Sequence, residues 1–231
     1  PGAVVICFLH SYVNPAHERA VARATTEVMP GWFVCTSEEV LPEFREYERF
    51  STAVLNAYIG PKVGGYLTAL DTALAERGYA GQVFITTSSG GITTSQVAAR
   101  FPVHTVLSGP AGGVAAAVNL GRLTGFRNLI TYDMGGTSTD VCLVERGTPL
   151  SATQKEYHGY PVKGAMLDVH SVGAGGGSLA WVDAGGFLRV GPESAGAMPG
   201  PACYGQGGAS PTVTDANVVL GRLNPAYFLG G

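Results

Sequence analysis

Charge is scarce in this 231-residue chain: Asp, Glu, Lys and Arg together make up 13% of it, against a usual share of about 25%. Only three lysines occur (Lys62, Lys155 and Lys163), no basic run exists, and the formal net charge is −3. That balance argues against nucleic acid or an anionic membrane surface as a partner, because both are bound through clustered positive charge. The four cysteines, Cys7, Cys35, Cys142 and Cys203, stand far apart. Without a CxxC pair they offer no zinc or redox motif, and buried free thiols in a reducing cytoplasm are expected. No leader and no apolar run long enough to span a bilayer are seen, so a cytoplasmic location is expected. GxxxxGK[ST] is missing, which excludes a P-loop. His17-Glu18 is not an HExxH start, since Val21 stands where the second histidine would be. Glycine, by contrast, is abundant, with 34 residues clustered mostly between Gly90 and Gly208. Such clusters mark backbone that takes positive φ or approaches a neighbour closely. The chain opens on a buried-strand pattern, Ala3 to Leu9, and closes on Phe228-Leu229-Gly230-Gly231. Both ends are expected to be cut from a longer protein.

Strand-like and helix-like stretches alternate, which predicts an α/β fold. The pattern predicts strands at 3–9, 32–35, 81–87 and 103–107. Helices are expected from Asn14-Pro15 to Pro30, over 41–59 and 62–77 with a break at Gly60-Pro61, over 93–100, and from Ser108 to Leu123. Residues 128–133 and 137–145 read as a hairpin with 150–157 as a third strand, and 166–172 as a further strand. A second hairpin surrounds Asp183-Ala184-Gly185-Gly186, a Gly- and Pro-rich loop fills 191–211, and a helix capped by Thr214 or Asp215 follows. The charges Glu43, Arg45, Glu46, Glu48 and Arg49 predict ion pairs on a solvated or interdomain helix face. Residues 1–107 and 108–231 are the expected domains.

The hairpin carries the chemistry. An apolar strand ends in Asp133, and Met134-Gly135-Gly136-Thr137-Ser138-Thr139-Asp140 follows. Gly135 and Gly136 allow a turn whose backbone N–H groups converge, a nest that binds anions without a lysine. Thr137, Ser138 and Thr139 add hydroxyl donors. Asp133 is suited to hold Mg2+, which would neutralise the phosphates that no nearby lysine can. An ordinary Gly-Gly hairpin is the alternative. Gly173-Ala174-Gly175-Gly176-Gly177-Ser178 follows a strand, but Ser178 breaks GxGxxG and the next residues read as strand, which weakens a dinucleotide reading. A close-approach loop against a ligand and a glycine-rich packing corner both remain open. The first turn after Ser108 is either an anion site or a packing device, with Gly112 and Gly113 admitting a neighbouring backbone. Asp168 and His170 lie two apart on one face of a strand, a candidate acid–base or metal pair. Cys203 is a candidate nucleophile without a nameable base, and a buried structural thiol is the plainer reading.

Many ordered motifs together resemble the hydantoinase A / 5-oxoprolinase family. They are Leu9-His10-Ser11-Tyr12, Arg45 to Arg49, Asn56-Ala57-Tyr58, Ser89-Gly90-Gly91, Ser108 to Gly113, Asp133 to Asp140, Gly173 to Ser178, Val190 to Gly196, Pro199 to Gly205 and Thr212 to Asn217. Thr87 departs from the pattern, where Gln would be expected. The resemblance implies an actin/Hsp70/sugar-kinase-like (ribonuclease H-like) fold with a mixed sheet and flanking helices, two phosphate hairpins on one ATP, and this chain holding the second. It implies ATP and Mg2+ as cofactors and Asp133 as the motif acid; with the Asp168 and His170 pair read above from its spacing, Asp133 makes up the catalytic candidates. Gly135, Gly136, Thr137, Ser138, Gly173, Gly175, Gly176 and Gly177 become the nucleotide-binding candidates. It further implies a small cyclic amide substrate, phosphorylated at its carbonyl before ring opening, a B-type hydantoinase partner subunit or domain, and an oligomeric full-length protein. The fragment alone is expected to be inactive. A carboxylase-type ATP-using subunit, a non-catalytic actin-like ATP-binding module and a Cys203 thiol hydrolase are the competing expectations.

Overall fold

The computed structural model describes residues 2–227, so the closing Phe228–Gly231 lies outside the described residues. The chain forms two compact units, Pro1–Leu123 with Pro149–Asp168, and Thr124–Thr148 with Val169–Gly231. The α/β class expected from the alternation is what the elements show.

In the first unit, β1 (Ala3–Ile6) pairs in parallel with β2 (Phe33–Thr36) across the helix α1 (Ala16–Val28). A short α2 (Ser37–Val40) follows, capped by a Thr36/Glu39 capping box. The long α3 (Glu46–Glu76) runs past these strands. Hairpin β3 (Phe84–Thr86)/β4 (Ile92–Thr94), α4 (Ser95–Arg100), a 3-10 turn at Pro102–Thr105 and α5 (Ser108–Thr124) come next. Buried Cys35, Val40, Ala53, Ala57, Val103 and Val162 form the core. In the second unit, β5 (Leu129–Met134) and β6 (Thr139–Glu145) form an antiparallel hairpin, joined by the two-residue β7 (Thr148–Pro149) and by β10 (His170–Val172) on the far side of β6. Hairpin β11 (Ser178–Val182)/β12 (Leu188–Ser194) and α6 (Val213–Val219) complete it.

Several local expectations are corrected by packing. The helix does not break at Gly60-Pro61: α3 continues for 31 residues with Pro61 inside. Burial of Ala53, Ala57 and Leu67 on either side outweighs the lost hydrogen bond. Gly60 lies so close to the Phe33 ring that a Cβ there would sit 2.7 Å from it. The expected strand at 103–107 is the 3-10 turn instead, because the Asn56 side chain takes its backbone: Val103 N–H donates to Oδ1 (3.2 Å), and Nδ2 donates to the Arg100 carbonyl (3.3 Å). Residues of the expected third hairpin strand form β8 (Ser151–Tyr157), but it pairs with β9 (Tyr160–Leu167) in the first unit. The strand expected over 166–172 is divided between β9 and β10.

Arg49 overturns the reading of a solvated charged face. It is fully buried, its guanidinium donates to the carbonyls of Phe8 (2.7 Å) and Glu43 (3.1 Å), and it stacks between the rings of Tyr12 and Phe50. Glu18 is equally buried and accepts from Phe8 N–H, Ser37 Oγ and Glu38 N–H at 2.7, 2.7 and 3.0 Å. Both residues hold backbone of several elements in place through charge-assisted hydrogen bonds. Arg45, by contrast, makes the exposed ion pair expected of that face, with Glu48 at 3.4 Å.

Candidate phosphate site

The second unit is built around the turn between β5 and β6. Register pairs Asp133 with Asp140, and Asp140 with Ser171 of β10. Residues directly opposite share a face of the sheet, so two carboxylates and a hydroxyl lie in one row across three strands. Ser171 Oγ donates to Asp140 Oδ1. This row continues the buried stripe of Cys142 and Val144 and ends at the exposed Asp133. Like charges directly opposite repel, and a bound cation would relieve the repulsion. Asp140 and Ser171 were not singled out in the sequence; the signal was the even spacing that puts Asp140 and Cys142 on one face once Asp133 pairs with Asp140.

The turn is closed by Gly135 N–H donating to the Ser138 carbonyl at 2.9 Å. Gly136, Thr137 and Ser138 donate their amide N–H groups to no acceptor among the described residues. These successive free donors on an exposed glycine turn are the elements of an anion nest.

The second glycine loop is spent on holding that turn. Gly176 N–H donates to Gly135 O (2.9 Å), Gly177 N–H to Gly136 O (2.6 Å), and Gly175 N–H to Ser178 Oγ (2.8 Å). A Cβ on Gly175 would stand 2.7 Å from the Thr137 carbonyl carbon and 2.8 Å from Gly135 O; one on Gly177 would meet Gly136 O at 2.9 Å. The loop therefore approaches the turn backbone to backbone, and only glycine permits it. Gly173 borders open space. Thr214, just inside α6, donates from N–H and Oγ1 to Gly176 O, both at 2.8 Å. The cap of α6 is Thr212, not Thr214 or Asp215: its hydroxyl accepts from Asp215 N–H, and the Asp215 carboxylate reaches back to Thr212 N–H.

Asp168 closes the first unit, 3.7 Å from Lys155 Nζ, whereas His170 begins β10 in the second, opposite Val141 and on the face away from the acid row. Cys203 is exposed, not buried, and its thiol is raised above the ordinary range by desolvation and by the neighbouring Asp215, the wrong direction for a nucleophile. Asp215 accepts from the N–H groups of Cys203 (2.7 Å) and Thr212 (2.8 Å) and from the Thr212 hydroxyl. Against the opposing desolvation, these bonds bring its carboxyl down to about 2. In α5, Gly112 faces the Thr86 side chain and Gly113 faces open space, which favours the packing role there.

Among the described residues no group of three or more His, Cys, Asp or Glu is arranged to hold a metal by itself. Two facing carboxylates with hydroxyls suit Mg2+, which usually completes its octahedron with water and phosphate oxygens. No helix of the described residues is long and apolar enough to cross a membrane.

Comparison with known proteins agrees with the motifs. The hydantoinase/oxoprolinase family model matches residues 49–231. Caprolactamase subunit alpha of Pseudomonas jessenii is 42% identical over 229 residues, which is 99% of this chain and 33% of that protein. The 5-oxoprolinase of Saccharomyces cerevisiae is 37% identical over 98% of this chain and 17% of its own length. Among solved structures, a nucleotide-free acetone carboxylase, from work on ATP-dependent acetone carboxylation, superposes with a TM-score of 0.81 at 32% identity, covering 98% of this chain and 32% of that one. The chain thus spans about a third or less of the length of these relatives. With its glycine hairpin and a family match over residues 49–231, this chain belongs to the hydantoinase/oxoprolinase family.

Proposed function

We propose that this chain supplies the second of two phosphate clamps in an actin-like ATP site, within an enzyme that phosphorylates a cyclic amide before opening it. The observation that carries the reading is the Gly135–Ser138 turn, whose amides at 136–138 are left free while a glycine loop and the acid row fix its position. Relatives named caprolactamase and 5-oxoprolinase support the amide. Gly136, Thr137 and Ser138 bind phosphate oxygens; Gly135, Gly175, Gly176 and Gly177 hold the turn in shape. Asp133, with Asp140 beside it, holds Mg2+ directly or through water. Mg2+ at this position supplies charge neutralisation on the phosphates. Phosphoryl transfer is mostly positioning plus such neutralisation. The amide carbonyl oxygen takes the γ-phosphoryl group and ADP leaves; one water adds to the activated carbon, the ring C–N bond breaks as the nitrogen takes a proton, and a second water hydrolyses the resulting acyl phosphate to carboxylate and phosphate. A B-type partner subunit contributes to the water step, and His170 and Asp168 act only as far as the complete assembly brings them to substrate. The 231 residues alone have no turnover, because one clamp supplies neither full orientation nor full charge neutralisation.

The test is ATP hydrolysis by the full-length protein, with its partner, in the presence of hydantoin, 5-oxoproline or a lactam. Stimulation by one of these, reduced roughly 100-fold by Asp133→Asn, is the expected result. Undiminished stimulated turnover in that variant would refute the assignment. The acetone carboxylase likeness favours one second reading, carboxylation of a ketone, which ATP-dependent fixation of labelled bicarbonate into acetone would reveal.

A further inference from the structure

The Ser88-Ser89-Gly90-Gly91 motif is not used by the proposed function. It borders a cavity of about 250 Å³ within the first unit. The chain leaving β3 brings Thr87 and Ser89 to one side, their hydroxyls hydrogen-bonded at 2.9 Å. Behind them the loop is pinned: Thr87 N–H donates to Gly91 O and Gly90 N–H to Thr87 O, both at 2.9 Å. Buried Ser88 donates from N–H and Oγ to His104 O, at 2.7 and 2.8 Å. These bonds fix the backbone of His104 and leave its imidazole facing the cavity, with no hydrogen-bond partner among the described residues. Burial lowers the pKa of that ring, so at neutral pH it offers one N–H donor and one acceptor nitrogen. Ala98, Phe101 and Ala165 make an apolar wall.

The cavity is below the range of about 300 Å³ and more that accommodates drug-sized ligands, so a nucleotide is too large for it. Its polar side offers donors and acceptors together and no fixed charge. A cyclic amide presents that complement: its C=O and N–H are locked cis on one edge, and its ring methylenes are apolar. A ketone has only the acceptor.

We infer that this cavity binds a small uncharged cyclic amide, its ring against Phe101 and Ala98 and its cis-amide edge on His104, Ser89 and Thr87. The choice of a ring amide rests on the proposed function, and the location rests on the cavity itself. The chain, with its alanine methyls and histidine rings isotopically labelled, is titrated with 2-pyrrolidinone, ε-caprolactam and cyclopentanone and followed by NMR. Both lactams should shift the Ala98, Ala165 and His104 signals, with Ser89→Ala and His104→Phe each weakening binding about tenfold, the loss of one hydrogen bond. Ala165→Leu removes no polar group and fills the mouth of the cavity, so it should abolish binding even if a polar variant is misfolded. No lactam shifts, shifts away from these residues, or binding that survives Ala165→Leu would each overturn the site. Cyclopentanone binding as tightly as the lactams would overturn the cis-amide assignment. ATP binding by the full-length protein, wild type and Asp133→Asn, separates the two proposals: lactam binding without nucleotide binding there refutes the clamp and leaves the cavity, and the reverse refutes the cavity alone.

Discussion

The first unit is held by what its side chains supply, and the second by side chains that are missing. In the first, two fully buried charged groups, Glu18 and Arg49, satisfy backbone from several elements around an aliphatic core. In the second, the loop Gly175–Gly177 lies directly on the turn Gly135–Thr137, with carbonyls where a Cβ would otherwise be. A buried side chain can be replaced by another of similar shape and chemistry. A backbone-to-backbone contact has no such substitute, so the Gly135–Thr137 turn sits where an added side chain is least tolerated.

The sharpest way to break this contrast is at Glu18. Glu18→Gln puts an amide where three donors need an acceptor, leaving at least one buried N–H unsatisfied; a loss of about 3 kcal/mol is expected by chemical denaturation. Nucleotide affinity of the second unit's turn should change little in conditions where the variant stays folded. Gly175→Ala should do the reverse. Its Cβ must displace Thr137 and Gly135 backbone, costing about 2 kcal/mol and weakening ATP-Mg binding by an order of magnitude or more, as calorimetric titration of the full-length protein would show. If Gly175→Ala binds ATP normally, the loop does not shape the turn.

Asp215→Asn sharpens the same comparison at smaller scale, since it removes the charged acceptor of the α6 cap; about 1 kcal/mol is expected. The effect has a defined pH window. Folded Asp215 titrates near 2, below the unfolded value of about 3.9. Its stabilisation is therefore complete above about pH 4 and fades as pH falls toward 2, so wild type and variant should converge in acid melts. Gly113→Ala is the control: this helical glycine faces open space, and alanine there should stabilise by roughly 0.5–1 kcal/mol.

Much of the second unit was legible because its signals are local. An apolar strand ending in Asp133, two glycines, hydroxyls and a second apolar strand specify a hairpin whatever surrounds it, and β5 and β6 appear where the alternation puts them. The first unit was harder to read. Gly60-Pro61 carries a strong local stop signal, yet the helix passes through it because the flanking residues are buried on both sides. Arg49 looked like its exposed neighbour Arg45, and nothing nearby in sequence indicates that the Phe8 carbonyl, 41 residues away, is its acceptor. Ser151–Tyr157 was legible as a strand but not in its partner, since pairing depends on a strand that the local pattern left unmarked.

By itself, then, the sequence determined the class, the family and the glycine hairpin, all properties of short ordered strings. Tertiary structure alone decided that the glycine loop supports the turn, that Asp140 and Ser171 join Asp133 in one row, and that Asp168 and His170 belong to different units. Those outcomes depend on strand register and on which carbonyls accept which N–H groups across long stretches of chain, and hydrogen bonds between distant segments leave no period or spacing in the sequence to be read.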